Sequence, residues 1–346
     1  MILVADEGTL AQAAQALHDG HLVGLPTETV YGLAANATDD GAVAKIFVAK
    51  GRPADHPLIV HVAGQAQVAE FAAELPEFAQ HLIDAFWPGP LTLIVPRRPG
   101  VATASAGGQD SIGLRCPSHP VAQALLQACL ALGVTGLSAP SANRFGRVSP
   151  TTAAHVQSEL GSDLLILDGG ACDVGIESTI VDCTRGQPVL LRPGHITRPQ
   201  IEAACGRALL DKDAVSQPAP RASGTLESHY APRAKVRLMS AKDIADKLHA
   251  LGPHANNLGV WSAEPPHAGA EAGAKAGAEM DKEAGAGWGA GVLWREQASN
   301  AEQAAHDLFG VLRELDARGV QQIWVQCPPE TPEWEGVRDR LQRAAA

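Results

Sequence analysis

Short apolar runs of four or five residues recur along the first two hundred positions, most of them closed by a glycine, a proline or a charged side chain. Runs of that length fit buried strands, and several longer stretches between them carry apolar residues at helical spacing. The alternation prescribes layers of helix on sheet. Strands are expected over 21–25, 58–62, 91–95, 111–115, 134–138, 164–167, 177–181 and 189–192. Helices are expected over 9–20 with Thr9 as N-cap, from about Asp40 to Lys50 with Gly51 as the stop, and over 77–86 before a Trp87-Pro88-Gly89-Pro90 turn.

The pattern dissolves between Cys205 and Arg233 into a stretch rich in Pro, Ala and Ser (SQPAPRASGTLESHYAP), the composition of a linker. A chain of 346 residues is also long for one core. The division is therefore an α/β domain over 1–203, a linker over 204–234, and a smaller α/β domain over 235–346. Strands over 258–261, 292–294 and 323–325 and a helix over 300–318, stopped by Gly319, build the smaller domain. An Ala/Gly-rich insertion over 267–291 reads as a flexible surface segment.

No apolar run approaches the roughly 20 residues of a membrane span, and the N-terminus meets Asp6 and Glu7 where a secretory leader would be basic. The six cysteines show no CxxC pair, which fits reduced thiols and a cytoplasmic protein without membrane contact. A net charge of −11 disfavours a nucleic-acid coat but leaves room for a local basic pocket.

Candidate chemistry concentrates at predicted strand ends and turns. Lys50 and Arg52 flank Gly51 at a helix end, and together they suit a triphosphate, Arg52 as a planar fork and Lys50 as a point charge. An isolated KxR more often answers the helix macrodipole, but Lys50 falls on the apolar face. Ser149-Pro150-Thr151 reads as a helix start whose free N–H groups suit phosphate, beside Ser141, Asn143 and Arg147. Arg115 and Arg192 end apolar strands, where each needs a carboxylate or a phosphate partner. Thr27, Thr29 and Tyr31 alternate along a strand-like segment and offer hydroxyls, while His61 in LIVHV is more often a core imidazole. The sequence has no GxxxxGK[ST] loop and no GxGxxG after a strand, so any ATP site belongs to another fold.

Taken in order, PTETVYGL, KGRP followed by HPLIVH, WPGPLTL, SAPSAN, ESTIVD and LLRPG resemble the YrdC-like family of L-threonylcarbamoyladenylate synthases over nearly the whole first 200 residues. SHYAP over 228–232, followed by a small domain, resembles the family's long form. The resemblance implies a YrdC-like twisted mixed sheet with flanking helices, plus a smaller Rossmann-like C-terminal domain. It implies a nucleotidyltransferase that condenses L-threonine, bicarbonate and ATP, with Mg²⁺ on the triphosphate, into threonylcarbamoyl-AMP and pyrophosphate. The product feeds a tRNA threonylcarbamoyl transferase machinery making N6-threonylcarbamoyladenosine at position 37 of tRNAs reading ANN codons. A weak contact of this chain with tRNA itself is compatible with that role. By the family pattern Thr29, His61, Arg115, Ala139 and Ser178 hold threonine. Arg52, His56, Ser111, Ser141, Asn143, Ser149, Arg192 and Thr225 surround ATP, and Lys50 and Arg52 are the catalytic cations. His56 stands where some members carry Asn, and Ser223-Gly224 where others carry Pro-Gly. An RNA-binding module and a hydrogenase-maturation carbamoyl transferase are the rival readings. The acidic balance argues against the first, and the absence of acylphosphatase and zinc-finger modules argues against the second.

Overall fold

The computed structural model describes residues 1–225, 228–265 and 291–346. Its larger sheet has eleven strands: β1 (Ile2–Val4), β2 (Val23–Leu25), β3 (Gly32–Asn36), β4 (Ile59–His61), β5 (Leu91–Pro96), β6 (Ser111–Arg115), β7 (Leu137–Ser138), β8 (Leu165–Asp168), β9 (Thr179–Asp182), β10 (Val189–Arg192) and β11 (Leu210–Asp211). They lie in the order β1-β8-β2-β3-β7-β4-β6-β5-β9-β10-β11, with parallel and antiparallel pairs mixed. The pairing of β11 with β10 carries the sheet beyond the boundary expected at 203, which falls inside the helix Arg198–Cys205.

Helix α1 (Glu7–His18) is capped by Asp6, not Thr9. The Asp6 carboxylate accepts the Thr9 N–H at 2.8 Å and the Thr9 hydroxyl takes the Asp6 N–H at 2.9 Å, so Thr9 is the third residue of a capping box. Helix α2 (Asp40–Lys50) ends as the sequence prescribes: Gly51 has φ 62°, a left-handed turn that favours glycine. Helices α3 (Val68–Phe71), α4 (Glu77–Phe86), α5 (Pro120–Ala131), α6 (Ala153–Leu160) and α7 (Arg198–Cys205) complete the first domain. The helix expected to open at Ser149-Pro150 starts instead at Ala153, capped by the Thr152 hydroxyl. Pro150 is tied down before it, its carbonyl accepting the Tyr31 N–H at 2.9 Å.

The smaller sheet is wholly parallel, in the order β12-β15-β13-β14, from β12 (Lys235–Met239), β13 (Leu258–Ser262), β14 (Val292–Glu296) and β15 (Gln322–Gln326). Helices α8 (Ala241–Leu251), α9 (Ala301–Ala317) and α10 (Glu335–Ala345) belong to it. Apart from Gly291, the Ala/Gly-rich insertion lies outside the described residues. Among the described residues no helix is long and apolar enough to cross a membrane.

The two domains share a core. Val30, Val148 and Ile176 of the first pack with Leu308, Phe309, Leu312, Val337 and Leu341 of α9 and α10. Gly175 is a tight point of that interface: it has φ 78°, and a Cβ there would lie 2.4 Å from the His306 Cα. Gly175→Ala is expected to cost about 2–5 kcal/mol in urea unfolding, from backbone strain plus overpacking. Gly186→Ala, equally left-handed but facing open space, is expected to cost only about 1–2 kcal/mol.

Candidate active site

Strand ends and loops of the larger sheet converge with residues 223–224 and 229–230 around a cleft of about 520 Å³ of atom-free space. Thr27, Thr29, Arg52, His61, Arg115, Ala139, Ser141, Glu177, Ser178, Arg192, Ser223, Gly224, His229 and Tyr230 are among its walls. Thr29, His61, Arg115, Ala139 and Ser178, expected to act together, do line one cavity.

Arg115, at the end of β6, is held on three sides. It pairs with the Glu28 carboxylate at 2.7 Å and donates to the Thr29 hydroxyl at 2.8 Å and the Gly89 carbonyl at 3.3 Å. Burial alone would raise the Glu28 pKa, but Arg115 overcomes it and holds the carboxyl below its usual value. Residues 26–31 form a turn and not the strand expected, because the Thr27 hydroxyl donates to the Val30 carbonyl at 2.6 Å. Tyr31 leaves the cleft, donating instead to the Gly170 carbonyl at 2.7 Å. His61 faces the cleft with Nδ1 unpartnered, and burial with Arg115 nearby lowers its pKa to about 3, so the ring is neutral.

The other cations have no carboxylate partner. Arg192 donates through Nε and Nη2 to the Ser178 carbonyl at 3.1 and 2.9 Å, and through Nη1 to the Ser223 carbonyl at 3.0 Å. Arg52 donates to the Pro57 carbonyl at 3.0 Å and the Ser223 hydroxyl at 3.3 Å, leaving Nε free. Burial lowers its pKa to about 10, which still leaves it charged at neutral pH. Gly224 sits between: a Cβ would lie 2.4 Å from the Tyr230 hydroxyl and 2.7 Å from Arg192 Nη1.

The quartet Lys50, Arg52, Ser141 and Asn143 is spatially joined but divided in task. Lys50 is buried behind the cleft wall, its ammonium donating to the carbonyls of Ser141 and Asn143. Burial pushes its pKa far down. The Asn143 amide donates to the Arg144 and Arg147 carbonyls at 2.8 and 2.9 Å. Ser149 is fully buried and its hydroxyl donates to Glu177 in place of capping a helix. Two side chambers adjoin the cleft. Ser111 lines one of about 280 Å³ with Thr92 and Ser223. His56 and Thr225 line another of about 420 Å³ with Arg52, Phe145 and His229.

Glu28 and Glu177 were not singled out from the sequence, and Ser223-Gly224 only as a departure from the family's Pro-Gly. The two acids did carry a signal, since each sits beside an apolar run where an arginine partner is needed. His229 also has an unpartnered Nδ1, and burial takes its pKa to about 3.

Residues 15–194 match the family model of Sua5, YciO and YrdC, described as telomere recombination. Residues 196–346 match the model of the threonylcarbamoyl-AMP synthase C-terminal domain. The fold and cleft thus define a two-domain protein of the Sua5, YciO and YrdC class. The threonylcarbamoyl-AMP synthase of Pyrococcus abyssi is 36% identical, covering 98% of this chain and 95% of the relative. That of Bacillus subtilis is 37% identical, covering 99% and 94%. P. abyssi Sua5 complexed with L-threonine superposes with a TM-score of 0.82 at 34% identity, covering 100% of this chain and 96% of that one. The chain belongs to the threonylcarbamoyl-AMP synthase family, in its long two-domain form.

Two stability predictions follow from this charge arrangement. Glu28→Gln strands the Arg115 charge and is expected to cost about 3–5 kcal/mol. Arg52→Met removes a buried cation that no carboxylate compensates, so its urea midpoint is expected to equal or exceed the wild-type value. The buried histidines add a pH dependence. The unfolded chain protonates them near pH 6.5 but the folded chain only near pH 3, so their stabilisation is complete above 6.5 and lost as pH falls toward 3. His61→Gln is expected to flatten the fall in urea midpoint between about pH 6.5 and 5.

Proposed function

We propose that this cleft condenses L-threonine, bicarbonate and ATP into threonylcarbamoyl-AMP and pyrophosphate. The observation that carries the reading is the charge of the walls: Arg52 and Arg192 are buried with only carbonyl and hydroxyl partners, a surplus that an anionic ligand would complete. Family membership supplies the identity of the substrates.

Arg115, aimed by Glu28, takes the threonine carboxylate, with Thr29, neutral His61, the Ala139 backbone and Ser178 around the rest of the amino acid. The threonine amine adds to bicarbonate with loss of water to give a carbamate. A carbamate oxygen then attacks the α-phosphate in line, forming the mixed anhydride as pyrophosphate leaves with the electron pair of the broken bond. Such a displacement asks for positioning and charge neutralisation more than for a protein nucleophile. Arg52 and Arg192 supply the charge, beside Ser141. His56, Ser111 and Thr225 serve ATP from the side chambers, and Asn143 and Ser149 shape the walls. Lys50 works from behind the Ser141-Ala142-Asn143 turn, holding its carbonyls and adding to the positive field.

Mg²⁺ would arrive with the triphosphate, held by its oxygens and water, and would neutralise phosphate charge. Glu177 in the wall and Glu28 beside Arg115 already engage guanidinium groups, which leaves such an ion to the triphosphate and water. The product passes to the tRNA threonylcarbamoyl transferase machinery in the cytoplasm. With a net charge of −11 this chain's own contact with tRNA is weak.

Incubation with labelled bicarbonate, threonine and ATP is expected to give threonine-dependent pyrophosphate release. Arg52→Ala and Arg192→Ala are expected to lower kcat/KM by about 10²-fold or more, and Arg115→Leu to raise the threonine KM about 10- to 100-fold. Pyrophosphate release that ignores threonine would overturn the reading.

A further inference from the structure

One turn of the C-terminal helix α10 packs behind the wall of the cleft. Gly336 brings it close enough that a Cβ there would lie 2.9 Å from the Gly194 carbonyl and from the Ile176 side chain. At that contact Arg340 is wholly buried. Its Nε donates to the Glu177 carboxylate at 2.8 Å, Nη2 to the Glu177 carbonyl at 3.1 Å, and Nη1 to the Pro193 carbonyl at 2.9 Å and to Asp339 at 2.6 Å. The guanidinium also lies 5.5 Å over the Tyr230 ring. The second Glu177 oxygen accepts the Ser149 hydroxyl.

Glu177 is a hazard to the cleft it lines. It adjoins Ser178, whose carbonyl receives two donors from Arg192, and it acts electrostatically on both Arg192 and Lys50. A carboxylate free to turn there would pair with Arg192 and cancel the charge that a phosphate would otherwise meet. Arg340 removes that freedom by engaging the carboxylate oxygen and the backbone of the same residue.

We propose that Arg340 is a positioning residue contributed by the second domain: it restrains Glu177 so that Arg192 stays available to the triphosphate. This rests on the reading of the cleft as an ATP site. It gives the second domain a task that the fold alone does not reveal, the preservation of an unneutralised cationic wall across the domain boundary.

The test is calorimetric binding of inorganic pyrophosphate to the full chain. Arg340→Met is expected to weaken binding at least tenfold. Adding Glu177→Gln is expected to restore it to within about threefold of wild type, because the amide carries no charge to cancel Arg192. A merely structural role for Arg340 would lower the number of binding sites per chain and leave their affinity unchanged. The double variant has lost both members of the ion pair and is the one expected to fold if Arg340→Met does not. Arg340→Lys, which keeps a cation against Glu177, is expected to bind within about threefold of wild type. Wild-type affinity in Arg340→Met, or a double variant or Arg340→Lys variant that binds as poorly as Arg340→Met is expected to, overturns the proposal. A wild-type chain that binds no pyrophosphate overturns the ATP-site reading first and this proposal with it.

Discussion

The constraint on which the site depends is the burial of positive charge without matching negative charge. Lys50, Arg52 and Arg192 are each at most 9% exposed, and each is met by carbonyl or hydroxyl oxygens and not by a carboxylate. Carbonyl dipoles lower the cost of a buried cation but do not cancel its charge. Glu177 in the wall and Glu28 beside it leave that surplus alone, because Glu28 is occupied by Arg115 and Glu177 by Arg340. A family that handles an adenylate has reason to keep such a wall unpaired.

The fold supplies the means. Short strands that end abruptly place Arg115 last in β6, Arg192 last in β10 and His61 last in β4, at one end of the sheet. Residues 223–224 and 229–230 lie against that end, with the Ser223 carbonyl on Arg192 and Tyr230 against Gly224. The second domain closes the arrangement through an apolar interface and through α10, whose Arg343 carbonyl accepts the His229 N–H at 3.1 Å. Domain docking and site geometry are therefore one packing problem.

Much of this was legible. The apolar runs located the main strands, Gly51 marked the end of α2, and the strand-end arginines announced a polar site. What escaped the sequence did so for physical reasons. Thr9 and Ser149 are both good caps by type, but Asp6 outcompetes Thr9 with a charged acceptor, and the Ser149 hydroxyl is drawn to a buried carboxylate 28 residues away. Tyr31 turned from the cleft because its hydroxyl found a carbonyl on the far side. Arg340 was invisible because a basic residue in a terminal amphipathic helix normally faces water. Only the docking of two domains makes it an interior residue, and no local pattern encodes that.

The central claim is that the surplus charge is built for a polyphosphate. Thermal unfolding of the full chain with and without excess inorganic pyrophosphate tests it most directly. The account predicts that pyrophosphate at about a hundred times its Kd adds roughly 2.7 kcal/mol to the wild-type chain, and nothing measurable to a chain carrying Arg52→Met and Arg192→Met together. Equal stabilisation of both chains, or none of the wild type, would contradict it.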